Sequence, residues 1–143
     1  MFRSTFAALA LTVATPALAE DAVAVSYDGS FDDAAFAVES AIVGQGLVID
    51  SVSHVGEMLN RTGGDVGSDQ MLFKEADVFV FCSAVVSREV MEADPMNIAQ
   101  CPYGIFVAET SDGVMIGRRD YPAGPMDKVE AMLDAIIAEA AEG

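Results

Sequence analysis

Val78-Phe79-Val80-Phe81 is the stretch that leaves this chain the fewest folds. Four large apolar side chains in succession fit neither the alternation of a half-solvated strand nor the three-and-four spacing of an amphipathic helix. Ala76 to Cys82 is therefore predicted to be a strand buried on both faces, the middle of a sheet. It ends on Cys82. Ser83 can cap a following helix, which must stop by Asp94 because Pro95 forces the residue before it out of helical geometry. Met96 to Gln100 connects to Cys101-Pro102-Tyr103, so the two cysteines bracket one dense block.

The flanking sequence supplies the partners of that strand. Ala22 to Tyr27 is valine-rich and predicts a first strand; Asp28-Gly29 turns the chain. Ser30, three residues before Asp33, starts a helix whose Phe31, Ala35, Val38 and Ile42 share one face, and Gly44 and Gly46 end it. Leu47 to Ser53 is a second strand, Val55 to Asn60 a short helix, and Tyr103 to Glu109 a fourth strand. The Ser111-Asp112-Gly113 turn folds it into a hairpin with Val114 to Tyr121. After Pro122-Ala123-Gly124-Pro125, Met126, Val129, Met132, Leu133, Ile136 and Ala140 recur at helical spacing, with Lys128, Glu130 and Asp134 expected to face water. The order β-α-β-(short α)-β-α-β-β-α predicts an α+β two-layer sandwich: a mostly antiparallel sheet with helices on one face. The strand ending in Cys82 then needs cover on its second face, which a homodimer contact is one way to provide.

Residues 1–19 have the three parts of a secretory signal: Arg3, an apolar run from Phe6 to Val13, and Ala17-Leu18-Ala19 before Glu20. The run from Phe6 to Ala19 falls short of the roughly twenty residues that span a bilayer. A periplasmic or secreted protein of one domain, residues 20–143, is expected. The 124 residues left after cleavage suffice for one core and are too few for two ordinary domains. That domain carries 6 basic and 23 acidic side chains, a balance of −17. Clustered cations are the electrostatic footprint of nucleic-acid and anionic-membrane binders, so neither partner is expected, and after signal cleavage no membrane association.

An even number of cysteines in an oxidising compartment invites a bridge. Cys82 ends the third strand and Cys101 precedes the fourth, so antiparallel neighbours would bring the sulfurs to one edge of the sheet. Parallel neighbours would leave them roughly 17 Å apart, beyond bonding reach. A structural disulfide closing a loop of about twenty residues would contribute about 3 kcal/mol. Two other uses of the pair stay open. One is redox or sulfur chemistry, with Cys82 made more acidic by the adjacent helix start and Cys101 resolving it. The other is a metal or haem carrier drawing on His54, Met58 or Met91. With one histidine and no Cys-x-x-Cys-His or other ligand spacing, no cofactor and no metal are assigned.

The remaining constellations have simpler structural readings. Arg118 and Arg119 point to opposite faces of a strand, and pairing with some of the 23 acids accounts for them better than an anionic ligand. Asp32-Asp33 sit at a helix start, where the dipole favours negative charge without catalysis. Gly63-Gly64-Asp65-Val66-Gly67 lacks the lysine and hydroxyl of a phosphate loop. No serine–histidine–acid set is present, and no catalytic residue is assigned. Cys82 and Cys101 are the candidate thiol pair, with His54, Met91 and Arg118 as auxiliary candidates.

From Gly46-Leu47 and His54, through Phe81, Met91-Glu92-Ala93-Asp94-Pro95 and Pro102, to Arg118, Arg119 and Tyr121, the chain resembles the domain of unknown function 302 family. Members commonly show Gly-Asn-Pro after the third strand and Leu-Pro before the fourth. Here those places read Cys82-Ser83-Ala84 and Cys101-Pro102, as in a cysteine-bearing branch. The resemblance implies a small α+β sandwich, often dimeric, and brings no activity with it. The functional expectation is an exported, non-enzymatic accessory protein that binds a ligand or partner.

Overall fold

The computed structural model describes residues 21–143, so the expected signal peptide lies outside the described residues. Five strands form one antiparallel sheet in the order β1-β5-β4-β3-β2: β1 (Ala22–Tyr27), β2 (Val48–Ser53), β3 (Glu75–Cys82), β4 (Tyr103–Thr110) and β5 (Gly113–Arg119). Helices α1 (Phe31–Gly44), α2 (Val55–Thr62), α3 (Ala84–Ala93) and α4 (Asp127–Glu142) complete the expected α+β arrangement. β4, not β3, is the central strand; β3 has β4 on one side and β2 on the other.

Local sequence explains the boundaries. The Ser30 hydroxyl accepts the Asp33 N–H at 3.1 Å and opens α1. Gly46, at φ +75°, reverses the chain after α1, a conformation available to glycine at little cost. Ser83 caps α3 by accepting from the Val86 N–H at 3.3 Å. Asp94 ends that helix in extended geometry ahead of Pro95, then accepts the Met96 N–H to start a 3-10 segment over Pro95–Gln100. β5 stops at Arg119, two residues before its expected end. Tyr121 has left the strand to bury its ring against Tyr103, with centroids 6.2 Å apart and planes at 79°.

The core lies between the sheet and α1, α3 and α4. Val38 and Ile42 of α1 and Leu133 and Ile136 of α4 are fully buried together with Phe81, Ile105, Val107 and Ile116. Removing one such aliphatic or aromatic side chain from water contributes roughly 1.5–3 kcal/mol. The polar face of α4 differs from the expectation. Glu130 and Asp134 do not simply face water; they reach down to Arg118, the buried cation of β5. Lys128 is exposed and pairs with Glu89 of α3.

The other face of the sheet departs further from expectation. Phe79 and Phe81 lie under the helices, whereas Val78, Val80 and Cys82 point outward and are half-buried. Beyond the end of β2, α2 takes its place beside the first residues of β3, and a Cβ at Gly56 would collide with the Ala76 backbone nitrogen. No helix among the described residues lies over the middle of this outer face.

Candidate functional site

The pairing of β3 with β4 sets the site. Phe81 stands opposite Tyr103, so the residue after one and the residues before the other meet at the same end of the sheet. Cys82 and Cys101 meet there with their sulfurs 2.8 Å apart. They are free thiols in this structure, against about 2.05 Å for a bonded pair. The intervening chain is folded back by α3 and the 3-10 segment, and the Asn97 amide donates to the Val90 carbonyl at 2.8 Å to hold one on the other. The Cys101-Pro102 peptide is cis.

Behind the sulfurs lies a buried aromatic wall. Tyr103 is fully buried and its hydroxyl meets the Ser87 hydroxyl of α3 at 3.1 Å. Burial raises the Tyr103 pKa, and the two cysteines push it the same way. Burial is also the first cause that pushes the Cys82 thiol up, from 9.0 to about 11, followed by the hydrogen bond and charge of Cys101 and the charge of Asp50. This overturns the expectation that the start of α3 would acidify Cys82. Ser83 presents its side chain to the helix N–H groups, and desolvation and neighbouring negative charge outweigh the dipole at the sulfur.

The auxiliary candidates fall elsewhere. Val78 of β3 lies opposite Ser53 and Cys82 opposite Val48, so His54, just past Ser53, stands at the far end of the strand. About 14 Å of strand separates Val78 from Cys82. His54 therefore cannot serve as a base for Cys82, and neither His54 nor Met58 of α2 joins the sulfurs in a ligand set. His54 instead places Nδ1 2.8 Å from Oδ1 of Asp77, on the rim of an open cleft of about 590 Å³ that also includes Glu57, Asn60 and Lys74. Met91 packs from α3 against the core. Among the described residues, no group of three or more His, Cys, Asp or Glu side chains is placed to hold a metal ion.

Arg118 and Arg119 do point to opposite faces. Arg118 is 5% exposed and meets Asp134 through two nitrogens, at 2.6 and 2.9 Å, and Glu130 at 3.0 Å. Its pKa is raised, first by the Asp134 hydrogen bond, so it is a permanent structural cation. Arg119 is exposed. Its guanidinium lies 5.7 Å from the centre of the Tyr121 ring and 3.5 Å from Oε1 of Gln100, the residue before Cys101. The Glu130–Asp134 part of this cluster was signalled by its spacing of four on α4, which puts both carboxylates on one side of the helix. The His54–Asp77 pair had no such signal, because it depends on the β2–β3 register.

Residues 22–140 match the family model for the domain of unknown function DUF302. The crystal structure of an uncharacterized conserved DUF302 protein from Bacillus stearothermophilus is similar in fold, with a TM-score of 0.69 at 16% identity over 85% of this chain and 99% of that one. No curated protein matches the chain. With a single family model spanning nearly all of the described domain, the chain belongs to the DUF302 family.

Proposed function

We propose that this protein is an exported, non-enzymatic accessory protein of the periplasm that binds a ligand or partner, and that Cys82 and Cys101 form a structural disulfide in it. One observation carries the reading: the sulfurs stand 2.8 Å apart where β3 hands over to β4, so closing about 0.8 Å, with two electrons and two protons passed to a thiol–disulfide oxidant of the compartment, completes the bond. Two features support a structural over a chemical role. The Cys82 thiol is pushed up to about 11, which keeps it protonated and a poor nucleophile at neutral pH. The His54 imidazole sits at the other end of the strand, out of reach as an activating base. In this reading the protein works as a homodimer joined through the outer face of the sheet.

The test is the reduction potential and metal content of protein purified from the periplasm. A potential below about −300 mV supports a structural bridge. A value in the range of thiol–disulfide carriers, roughly −270 to −120 mV, would establish the redox alternative instead. Stoichiometric copper, zinc or haem iron would overturn both.

A further inference from the structure

The outer face of the sheet is unusually poor in polar groups. Along its middle, β4 presents Gly104 and Phe106, β3 presents Val78 and Val80, and β5 presents Gly117. The Phe106 ring reaches over Gly117, where a Cβ would collide with it. Two charges frame this surface at its thiol end. Arg119 rises from β5, level with Gly104 of β4 and Val80 of β3. Asp50 is the extra residue of a bulge in β2, between Ile49 and Ser51, and Ser51 is also level with Val80. Its charge reaches Cys82, which points to the same face.

We infer that this face docks on the same face of a second copy, about a two-fold axis parallel to β4, with Arg119 of each copy meeting Asp50 of the other. The inference rests on the homodimer reading above and specifies its geometry. Among the described residues, no carboxylate lies within ion-pair distance of Arg119, although the sequence holds 23 acids and the adjacent Arg118 has three such partners. Gln100 and the Tyr121 ring steady the guanidinium without neutralising it. Asp50 likewise has no cation within that distance among the described residues.

Register decides the axis. β5 and β3 flank β4, so rotation about a line over β4 carries β5 of one copy above β3 of the other while keeping positions along the strands. Arg119 then lands above Val80, about 4.8 Å to the side of the β2 bulge and within an arginine's reach. A two-fold perpendicular to the strands would send Arg119 to the His54 end and pair neither charge. Aligned packing of two sheets is an ordinary arrangement, and it sets Phe106 against its own copy at the centre, where interface energy concentrates. Five strands of about 20 Å give a face of about 500 Å² per copy, or about 1,000 Å² in total. That is the lower bound for a specific interface, so the dimer dissociates in the micromolar range. Docking also brings the second copy's Arg119 over Val80, towards the thiol end of the face, where it joins the protomer's own Arg119.

Sedimentation equilibrium across the micromolar range tests this on the purified protein, with circular dichroism confirming that each variant folds. Arg119→Asp and Asp50→Arg should each weaken the dimer at least about tenfold, and the double reversal should restore it to within about threefold. Phe106→Glu should abolish it. A monomer at every concentration, a dimer indifferent to the single reversals, or a double reversal that restores nothing would each overturn the inference. The bridge is tested separately by the same series in a Cys82→Ser/Cys101→Ser background. A dimer with the same ranking there keeps the interface whatever the state of the sulfurs.

Discussion

The two ends of β3 are built on opposite principles. At the Cys82 end the chain returns within twenty residues, packs Tyr103 and Tyr121 edge to face, and leaves two sulfurs almost in bonding contact. At the Asp77 end the partner is His54, whose side chain is 61% exposed on the rim of an open cleft. One geometry is imposed by strand register and a buried aromatic wall. The other is a single exposed hydrogen bond that solvent competes for. Strand register brings both pairs together, but packing holds the first in place, whereas the second is left to an exposed contact.

Perturbing the two ends should therefore have effects of very different size. The largest effect belongs to the sulfurs: Cys82→Ser/Cys101→Ser should lower stability by about 3 kcal/mol and the melting temperature by about 10 °C. Reduction of the unmodified protein should do the same, and a loss under about 1 kcal/mol would show that no bridge had been present. Next is Arg118, the buried cation of β5. Arg118→Ala should cost about 2 kcal/mol in chemical denaturation, less than for a fully buried network because Asp134 remains half in water. Arg118→Met should cost less than Arg118→Ala, since it keeps the packing of the side-chain stem.

Alkaline titration sharpens the contrast further. In the reduced protein, Cys82 keeps its proton to about pH 11, while in the unfolded chain it titrates near 9.0. The unfolded state then binds fewer protons between those values, so stability is intact below pH 9 and falls as pH rises towards 11. The oxidised protein should show no such loss from this pair, and alkylation of reduced Cys82 should accelerate only above pH 9. The smallest effect is at the other end: His54→Ala should change stability by less than about 1 kcal/mol at pH 7. A larger loss would mean that the His54–Asp77 pair is structural and that the contrast between the ends fails.

Much of this arrangement could be read from the chain because it is written in local patterns. The Ser83 cap, the stop at Pro95 and the turn at Asp112-Gly113 are near-neighbour effects, and they placed Cys82 and Cys101 at the ends of consecutive strands. An antiparallel β3–β4 pairing then required the sulfurs to meet. What escaped depends on contacts far apart in sequence. The acidity of Cys82 turned on the desolvation created by packing, which helix-dipole reasoning cannot see. Arg118 reaches Glu130 and Asp134 only because α4 crosses β5 at that level. The run through Val80 and Phe81 did announce two apolar faces, but one chain covers only one of them.

The most direct test is to block free thiols with an alkylating agent at the moment the periplasm is released, then map peptides without reduction. A linked peptide pair joining Cys82 to Cys101, with no alkylated cysteine, is expected. Two alkylated cysteines in freshly released protein would contradict it.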